Sequence, residues 1–310
     1  MSVIEATIQD EAARLTEAST SRYVQTRRWK LHYNEAGQGH PVILLHGTGP
    51  GATGWSNFHQ NVPALAERYR VITLDAPGWG KSDVFDCTGE SRNAANAEAV
   101  KLLMDELGLE KAALVGNSMG GATTLEFMAT YPERISHAVT MGSGLFAVPN
   151  IFSPGGMSQG IRVIVETYRD PTPENFRRLV EVMVYDSAFV TDALARQRSA
   201  DALAQREHLT NWLKWPMGHP QGPFGGLEAL MGKLAQSQVP TLMIHGRDDK
   251  TVPMETTMKA AALIPNARAV ILNRCGHWAQ VEHAAEFERL VLSFLDHGAA
   301  ASGGGAGFGG

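Results

Sequence analysis

Ala113-Leu114-Val115-Gly116-Asn117-Ser118-Met119-Gly120-Gly121 is the stretch that decides how the rest of the chain is placed. The apolar run Ala113 to Val115 predicts the end of a buried strand, and Met119 to Tyr131 predicts a helix stopped by Pro132. Between them, Gly116-Asn117-Ser118-Met119-Gly120 follows the pattern Gly-x-Ser-x-Gly. A strand that turns at once into a helix crowds the residues on either side of the apex, so neither can carry a bulky side chain. The apex serine is then held in a strained backbone conformation with its hydroxyl lifted out of the sheet. The Met119 N–H points the same way, from the positive end of the new helix. That suits a nucleophile beside an anion site. In a chain with 32 glycines the bare pattern also arises by chance, so the strand before it and the helix after it carry the inference.

On either side of this turn the chain alternates between short apolar runs and helical stretches. The runs are Pro41 to Leu45, Tyr69 to Asp75, Ala112 to Val115, Ala138 to Met141, Thr241 to His245 and Ala269 to Leu272. Continuous apolar runs of this length predict strands buried on both faces of a parallel sheet. Asn93 to Leu107 and Met119 to Tyr131 predict helices between them, giving an α/β open sheet. Upstream, Trp29, Leu31 and Tyr33 alternate with Lys30, His32 and Asn34, which predicts a half-exposed strand at an antiparallel edge.

The rhythm breaks over residues 146–238. Ser158 to Tyr168, Pro173 to Val184 and Thr191 to Trp212 are helix-like, and no clear strand appears. The expected organisation is a core in two parts, residues 1–145 and 239–297, with a helical cap inserted over the carboxyl edge of the sheet, where such folds bind ligands. The last helix, His283 to Asp296, carries an apolar stripe for packing on the sheet. Residues 298–310, mostly Gly, Ala and Ser, are expected to form a disordered tail.

Composition excludes several classes. The chain has 310 residues, 44% of them hydrophobic, enough for one large core. Its net charge of -5 gives no electrostatic case for nucleic acid or anionic membrane. No run is long and apolar enough for a bilayer, and the first residues lack a secretion signal. Two cysteines, Cys87 and Cys275, make no disulfide framework, so a cytoplasmic location is expected.

A serine nucleophile needs a base, and the base an orienting acid. His277 lies in the loop after the last strand, and Asp248-Asp249 in the loop after the strand before it. The order Ser, acid, His is the one found in α/β-hydrolases. A glycine-rich loop, His46-Gly47-Thr48-Gly49-Pro50-Gly51, follows the strand Val42 to Leu45, and the N–H groups of Thr48 and Met119 are the candidate oxyanion donors. Two rival motifs fall short. Gly47-Thr48-Gly49-Pro50-Gly51-Ala52 with Asp75 has the parts of a dinucleotide fingerprint, but Pro50 removes a donor and Thr53 to Asn61 is a poor helix start for a pyrophosphate. Cys275-x-His277 has no second Cys/His pair, so no metal is expected.

These residues resemble the α/β-hydrolase superfamily from Pro41 to Asp296 and, more narrowly, the meta-cleavage-product hydrolases, which cleave a carbon–carbon bond in 2-hydroxy-6-oxo-hexa-2,4-dienoates from aromatic ring fission. The narrower marks are Gly49-Pro50-Gly51-Ala52, Asn117 before the serine, and Cys275-Gly276-His277-Trp278-Ala279. The resemblance implies an α/β-hydrolase fold with a helical cap and a Ser118–Asp249–His277 triad; Asp249, the fourth residue of Gly246-Arg247-Asp248-Asp249, stands the family's usual distance before Val252-Pro253. It implies a cap arginine for the substrate carboxylate, matched by Arg198 with Arg196 as the fallback. It also implies polar contacts from Asn57 and Asn117, a pocket lined by Trp278, Gly47 and Val252, no cofactor, and a homodimer or larger homo-oligomer. Lys250-Thr251 departs from the Arg-Phe of several aryl-specific relatives, so no 6-substituent carries over. The alternative within the superfamily is a serine carboxylesterase or amidase. A dinucleotide-binding dehydrogenase is the remote one.

Overall fold

The structure, a computed structural model, describes residues 15–86, 89–143, 156–218 and 230–301. The six apolar runs become β3 (Pro41–Leu45), β4 (Arg70–Leu74), β5 (Ala112–Asn117), β6 (Ile135–Met141), β7 (Thr241–Gly246) and β8 (Ala267–Leu272). With β1 (Ser21–Gln25) and β2 (Lys30–Ala36) they form one sheet in the order β1-β2-β4-β3-β5-β6-β7-β8. The pairs β1/β2 and β2/β4 are antiparallel, and every other pair is parallel.

Burial on both faces explains the continuous apolar runs. In β3, Ile43 and Leu45 face one layer, with Leu103, Leu125 and Phe127, while Val42 and Leu44 face the other, with Phe58, Phe287 and Val291. Two sequence expectations change here. Strand β2 is neither half-exposed nor at the edge, because β1 covers it and its polar residues are paired inside. His32 Nδ1 lies 2.8 Å from Asp75 and its Nε2 2.8 Å from Ser21, while Asn34 Nδ2 donates to Thr20 Oγ1 at 2.9 Å. The outer strands are β1, on the antiparallel side, and β8, on which Arg268, Ala269 and Ile271 are exposed.

Along the chain, α1 (Glu17–Thr20) precedes β1, and α2 (Gly54–Phe58) and α3 (Val62–Ala66) join β3 to β4. Next come α4 (Arg92–Glu106), capped by Ser91, and α5 (Met119–Thr130). Between β6 and β7 the described residues hold no strand, only α6 (Gln159–Arg169), α7 (Pro173–Met183), α8 (Asp192–Ala204), α9 (Arg206–Gly218), α10 (Met231–Leu234) and a 3-10 turn. The single helix expected over Thr191 to Trp212 is two, because Gln205 leaves helical geometry (φ -111°, ψ 46°) and its Oε1 accepts the Gly80 N–H of the core at 3.0 Å. The upstream limit expected for the cap lies outside the described residues. Helix α11 (Met254–Leu263) joins β7 to β8, and α12 (Ala279–Glu282) leads into α13 (Ala284–Ala301). That last helix runs four residues into the segment expected to be a tail, and residues 302–310 lie outside the described ones. No described helix is long and apolar enough to cross a membrane.

The chain leaves β3 for β4 on one side and returns to β5 on the other, so the strand order reverses beside β3. The carboxyl ends of β3, β5, β7 and β8 share one edge, with the crevice at the reversal.

Candidate active site

Ser118 sits between β5 and α5 with φ 53° and ψ -110°, one of two non-glycine residues with positive φ among the described residues. The flanking glycines are dictated by space. A Cβ on Gly116 would lie 2.1 Å from the Gly120 carbonyl, and one on Gly120 would lie 2.0 Å from the Leu45 oxygen in β3. The Ser118 N–H donates to Met141 O at 2.7 Å, tying the turn to β6.

Asp249 and His277 come together from the loops after β7 and β8. His277 Nδ1 lies 2.7 Å from Asp249 Oδ2. With the proton on Nδ1, the ring leaves Nε2 free to accept a proton. The second carboxylate oxygen of Asp249 accepts the N–H groups of Thr251 at 2.7 Å and Val252 at 2.9 Å. Burial by itself would raise this carboxyl; the imidazoles of His277 and His245 beside it outweigh burial and hold it well below the usual carboxylate range. His245 had no role in the sequence reading. Its Nε2 is 3.0 Å from Val252 O and its Nδ1 is 2.8 Å from Thr257 Oγ1, so it fixes the loop that presents the acid. Asp248 points elsewhere, toward Arg247 at 3.8 Å.

Ser118 and His277 line one cavity with Gly47, Thr48, Asn57, Asn117 and Trp278 from the core. Leu179, Met183 and Arg198 reach the same cavity from the helical segment. The Arg198 guanidinium lies 4.7 Å above the Trp278 ring. Its Nε is shut off from solvent and has no hydrogen-bond partner among the described residues. Burial pushes its pKa down, with Asp201 opposing. Arg196 is exposed on the same helix. Val252 is not among the residues lining this cavity; its backbone N–H binds Asp249 and its carbonyl faces His245. Met119 lines a separate small space behind the turn, beside Leu45, His46 and Asn96. Asn117 Nδ2 donates to His277 O at 3.3 Å, and Asn57 Oδ1 accepts the Gly47 N–H at 3.3 Å. Both asparagines therefore support loops as well as line the cavity. Thr48 Oγ1 accepts from Trp212 Nε1 at 3.1 Å, a contact from the helical segment absent from the sequence reading.

Asp75, the acid of the rival dinucleotide pattern, is spent inside the protein. One oxygen accepts the Gly54 N–H of α2 at 2.8 Å, and the other faces His32 and the Lys81 N–H at 3.0 Å. The helix start that a pyrophosphate would need already holds a carboxylate.

The family model for the alpha/beta hydrolase fold matches residues 40–284. The chain is 45% identical over 287 residues to a 2-hydroxy-6-oxononadienedioate/2-hydroxy-6-oxononatrienedioate hydrolase of Burkholderia vietnamiensis (strain G4 / LMG 22486), covering 90% of this chain and 97% of that protein. It is 41% identical over 290 residues to a 2-hydroxy-6-oxo-6-phenylhexa-2,4-dienoate hydrolase of Burkholderia cepacia, covering 92% and 99%. Among solved structures it is similar to the meta-cleavage product hydrolase CumD of Pseudomonas fluorescens IP01, with a TM-score of 0.79 at 31% identity over 89% of this chain and 97% of that one. These similarities run through the strand ends that carry Ser118, Asp249 and His277, and the chain belongs to the alpha/beta hydrolase fold family and, within it, to the meta-cleavage-product hydrolases.

Proposed function

We propose that the chain hydrolyses the C5–C6 bond of a 2-hydroxy-6-oxo-hexa-2,4-dienoate, giving 2-hydroxypentadienoate and a carboxylic acid, in the catabolism of aromatic compounds. One observation carries the proposal: the Asp249–His277 pair and Ser118 share a cavity with a guanidinium whose Nε has no described partner. An ordinary ester needs only the first three groups. A substrate with a carboxylate at the far end of its reacting chain needs the fourth, and the planar fork of Arg198 suits that carboxylate.

The residues divide the work as follows. Arg198 holds the carboxylate, with Asn57, Asn117 and Gly47 around the 2-oxygen and Trp278 beneath the chain. The dienol ketonises and takes a proton at C5, so that this carbon can leave as a stabilised carbanion. The 6-carbonyl oxygen faces the N–H groups of Thr48 and Met119, where its developing charge is stabilised. His277, oriented by Asp249, takes a proton as Ser118 or a water it holds adds to C6. The C5–C6 bond then breaks with its electron pair passing along the conjugated chain to the 2-oxygen, which takes up a proton to give 2-hydroxypentadienoate. Water supplies the new oxygen of the carboxylic acid, directly or by releasing an acyl group from Ser118. Val252 acts on the acid loop. No metal or organic cofactor enters these steps.

Residues 146–238 are, in the same proposal, the cap over a core made of residues 1–145 and 239–297. A cytoplasmic homodimer or larger homo-oligomer belongs to it too, tested by cell fractionation and sedimentation. The function itself is tested by mixing the protein with yellow ring-fission dienoates bearing carboxyalkyl, alkyl and phenyl 6-substituents. Bleaching is expected in the wild type, with Ser118→Ala binding the dye but not turning it over. Cleavage of p-nitrophenyl esters with no dienoate bleached makes the chain a carboxylesterase instead.

A further inference from the structure

Glu282 closes the short helix α12, and its carboxylate joins two distant parts of the chain. Oε2 accepts the Gly276 N–H at 2.6 Å, one residue before His277. Oε1 accepts the N–H groups of Tyr185 at 2.6 Å and Asp186 at 2.9 Å, just beyond α7. Hydrogen bonds to an ionised acceptor are about twice as strong as neutral ones. The same edge of the helical segment offers the Met183 carbonyl to the N–H groups of His277 at 2.7 Å and Trp278 at 3.2 Å. The approach is close enough that a Cβ on Gly276 would lie 2.5 Å from Met183 O. On the other side, His283 Nε2 lies 2.9 Å from the carbonyl of Arg274, a non-glycine residue at φ 52°. A strained loop is thus fixed from above and below, and such conformations persist only where the surroundings over-determine them.

We propose that Glu282 is a positioning residue, which sets the His277 loop in register with the helical segment so that seating the segment and aligning the imidazole are one event. It touches none of the reacting atoms and acts through Gly276. The proposal rests on His277 serving as the general base for Ser118.

Glu282→Gln keeps the shape but turns one acceptor oxygen into an NH2 group, which meets an N–H donor with another donor. The loop and the segment can then no longer both be held. Two rates are measured: turnover of a dienoate, and covalent labelling of Ser118 by a fluorophosphonate, which needs the imidazole but no dienoate contact. Since misplacing a catalytic group by about 1 Å costs about 100-fold, kcat is expected to fall about 10- to 100-fold with KM changed less than about 3-fold, and labelling to slow in parallel. A folded variant with both rates intact, its thermal midpoint lowered or not, overturns the proposal by making Glu282 a structural strut alone. A fall in kcat with labelling unchanged overturns it too, because the effect then lies on substrate seating. If circular dichroism shows that Glu282→Gln does not fold, Glu282→Asp is read by the same criteria, since it keeps the charge but is one methylene short of spanning both groups. His277→Ala is the control. Labelling of that variant as fast as the wild type overturns the general-base assignment, and the role of Glu282 with it, a result distinct from failure of Glu282→Gln alone.

Discussion

The Arg198 guanidinium lies 4.7 Å above the Trp278 ring, so the helical segment and the histidine loop meet at the cavity through a stacked cation. Stacking fixes the plane of the fork without using its N–H donors, at a gain of about 0.5 to 2 kcal/mol.

Removing that fork separates dienoate from ester chemistry. A lost charge-assisted contact is worth about 1.5 to 3 kcal/mol, so Arg198→Ala should lower kcat/KM for a dienoate about 10- to 100-fold. Hydrolysis of p-nitrophenyl acetate should change little. Arg198→Lys should recover only part of the loss, because a point charge offers neither the fork nor the stacked plane. Equal losses on both substrates argue against a carboxylate role.

Asp249→Asn presents an amide to His277 Nδ1 and favours the wrong tautomer. By analogy with other triads, kcat should fall about 10,000-fold. The same change alters acid stability. The Asp249 carboxyl is held below its unfolded value, so it stabilises the fold above that value, near pH 3.9, and loses this as pH falls through the depressed one. Urea unfolding of Asp249→Asn should therefore be less sensitive to acid below about pH 4 than that of the wild type.

Gly120→Ala tests the crowding at the serine turn. A Cβ there would lie 2.0 Å from the Leu45 carbonyl, so α5 has to move off β3. A loss of about 3 kcal/mol or more is expected in chemical denaturation. Gly232→Ala in α10 is the contrast, since its Cβ meets no atom of the described residues within 4 Å. A helical Gly→Ala change without strain stabilises by about 0.4 to 1 kcal/mol. Equal effects at the two positions remove the steric account.

His208 sets a pH limit on stability. It is buried between Tyr168, whose hydroxyl is 2.9 Å from Nε2, and Trp79, with ring centroids 4.4 Å apart. Burial first, then Arg92 and His46, pushes its pKa down to about 3. The unfolded chain, titrating near 6.5, binds the extra proton between these values, so stability is full above about pH 6.5 and falls as pH drops toward 3. The slope per proton is about 1.4 kcal/mol per pH unit. His208→Gln should flatten the unfolding midpoint against pH across that window. Parallel curves for the two proteins remove the assignment.

Local rules made part of this molecule readable in advance. Gly116 and Gly120 are demanded by a strand-to-helix turn whatever lies around it, and the apolar runs of β3 to β7 follow from burial on two faces. Where the same rule met an uncovered position it failed, as at β8, whose apolar pattern says nothing of a missing neighbour. It failed the other way at β2, because His32 and Asn34 look like surface residues until Asp75, Ser21 and Thr20 arrive from elsewhere in the chain to pair with them.

The candidate site divides in the same way. Residues two apart on a helix point about 200° from each other, so only one of Arg196 and Arg198 can face the cavity. Which one does depends on how α8 is rotated over the core. The contacts of Glu282, Met183 and Trp212 with distant backbone and side chains carry no local pattern at all.

By itself, the order of residues determined the strand–helix rhythm, the serine turn and the loops bearing an acid and a histidine, since each follows from the shape and solvation of near neighbours. Asp249 and Arg198 were named through the family resemblance, but only the tertiary structure showed the contact of Asp249 with His277, the entry of Arg198 into the cavity, and how the helical segment is fastened to the histidine loop. Those contacts join residues tens to hundreds of positions apart, and their geometry exists only once the sheet has closed and the helices have packed against its edge.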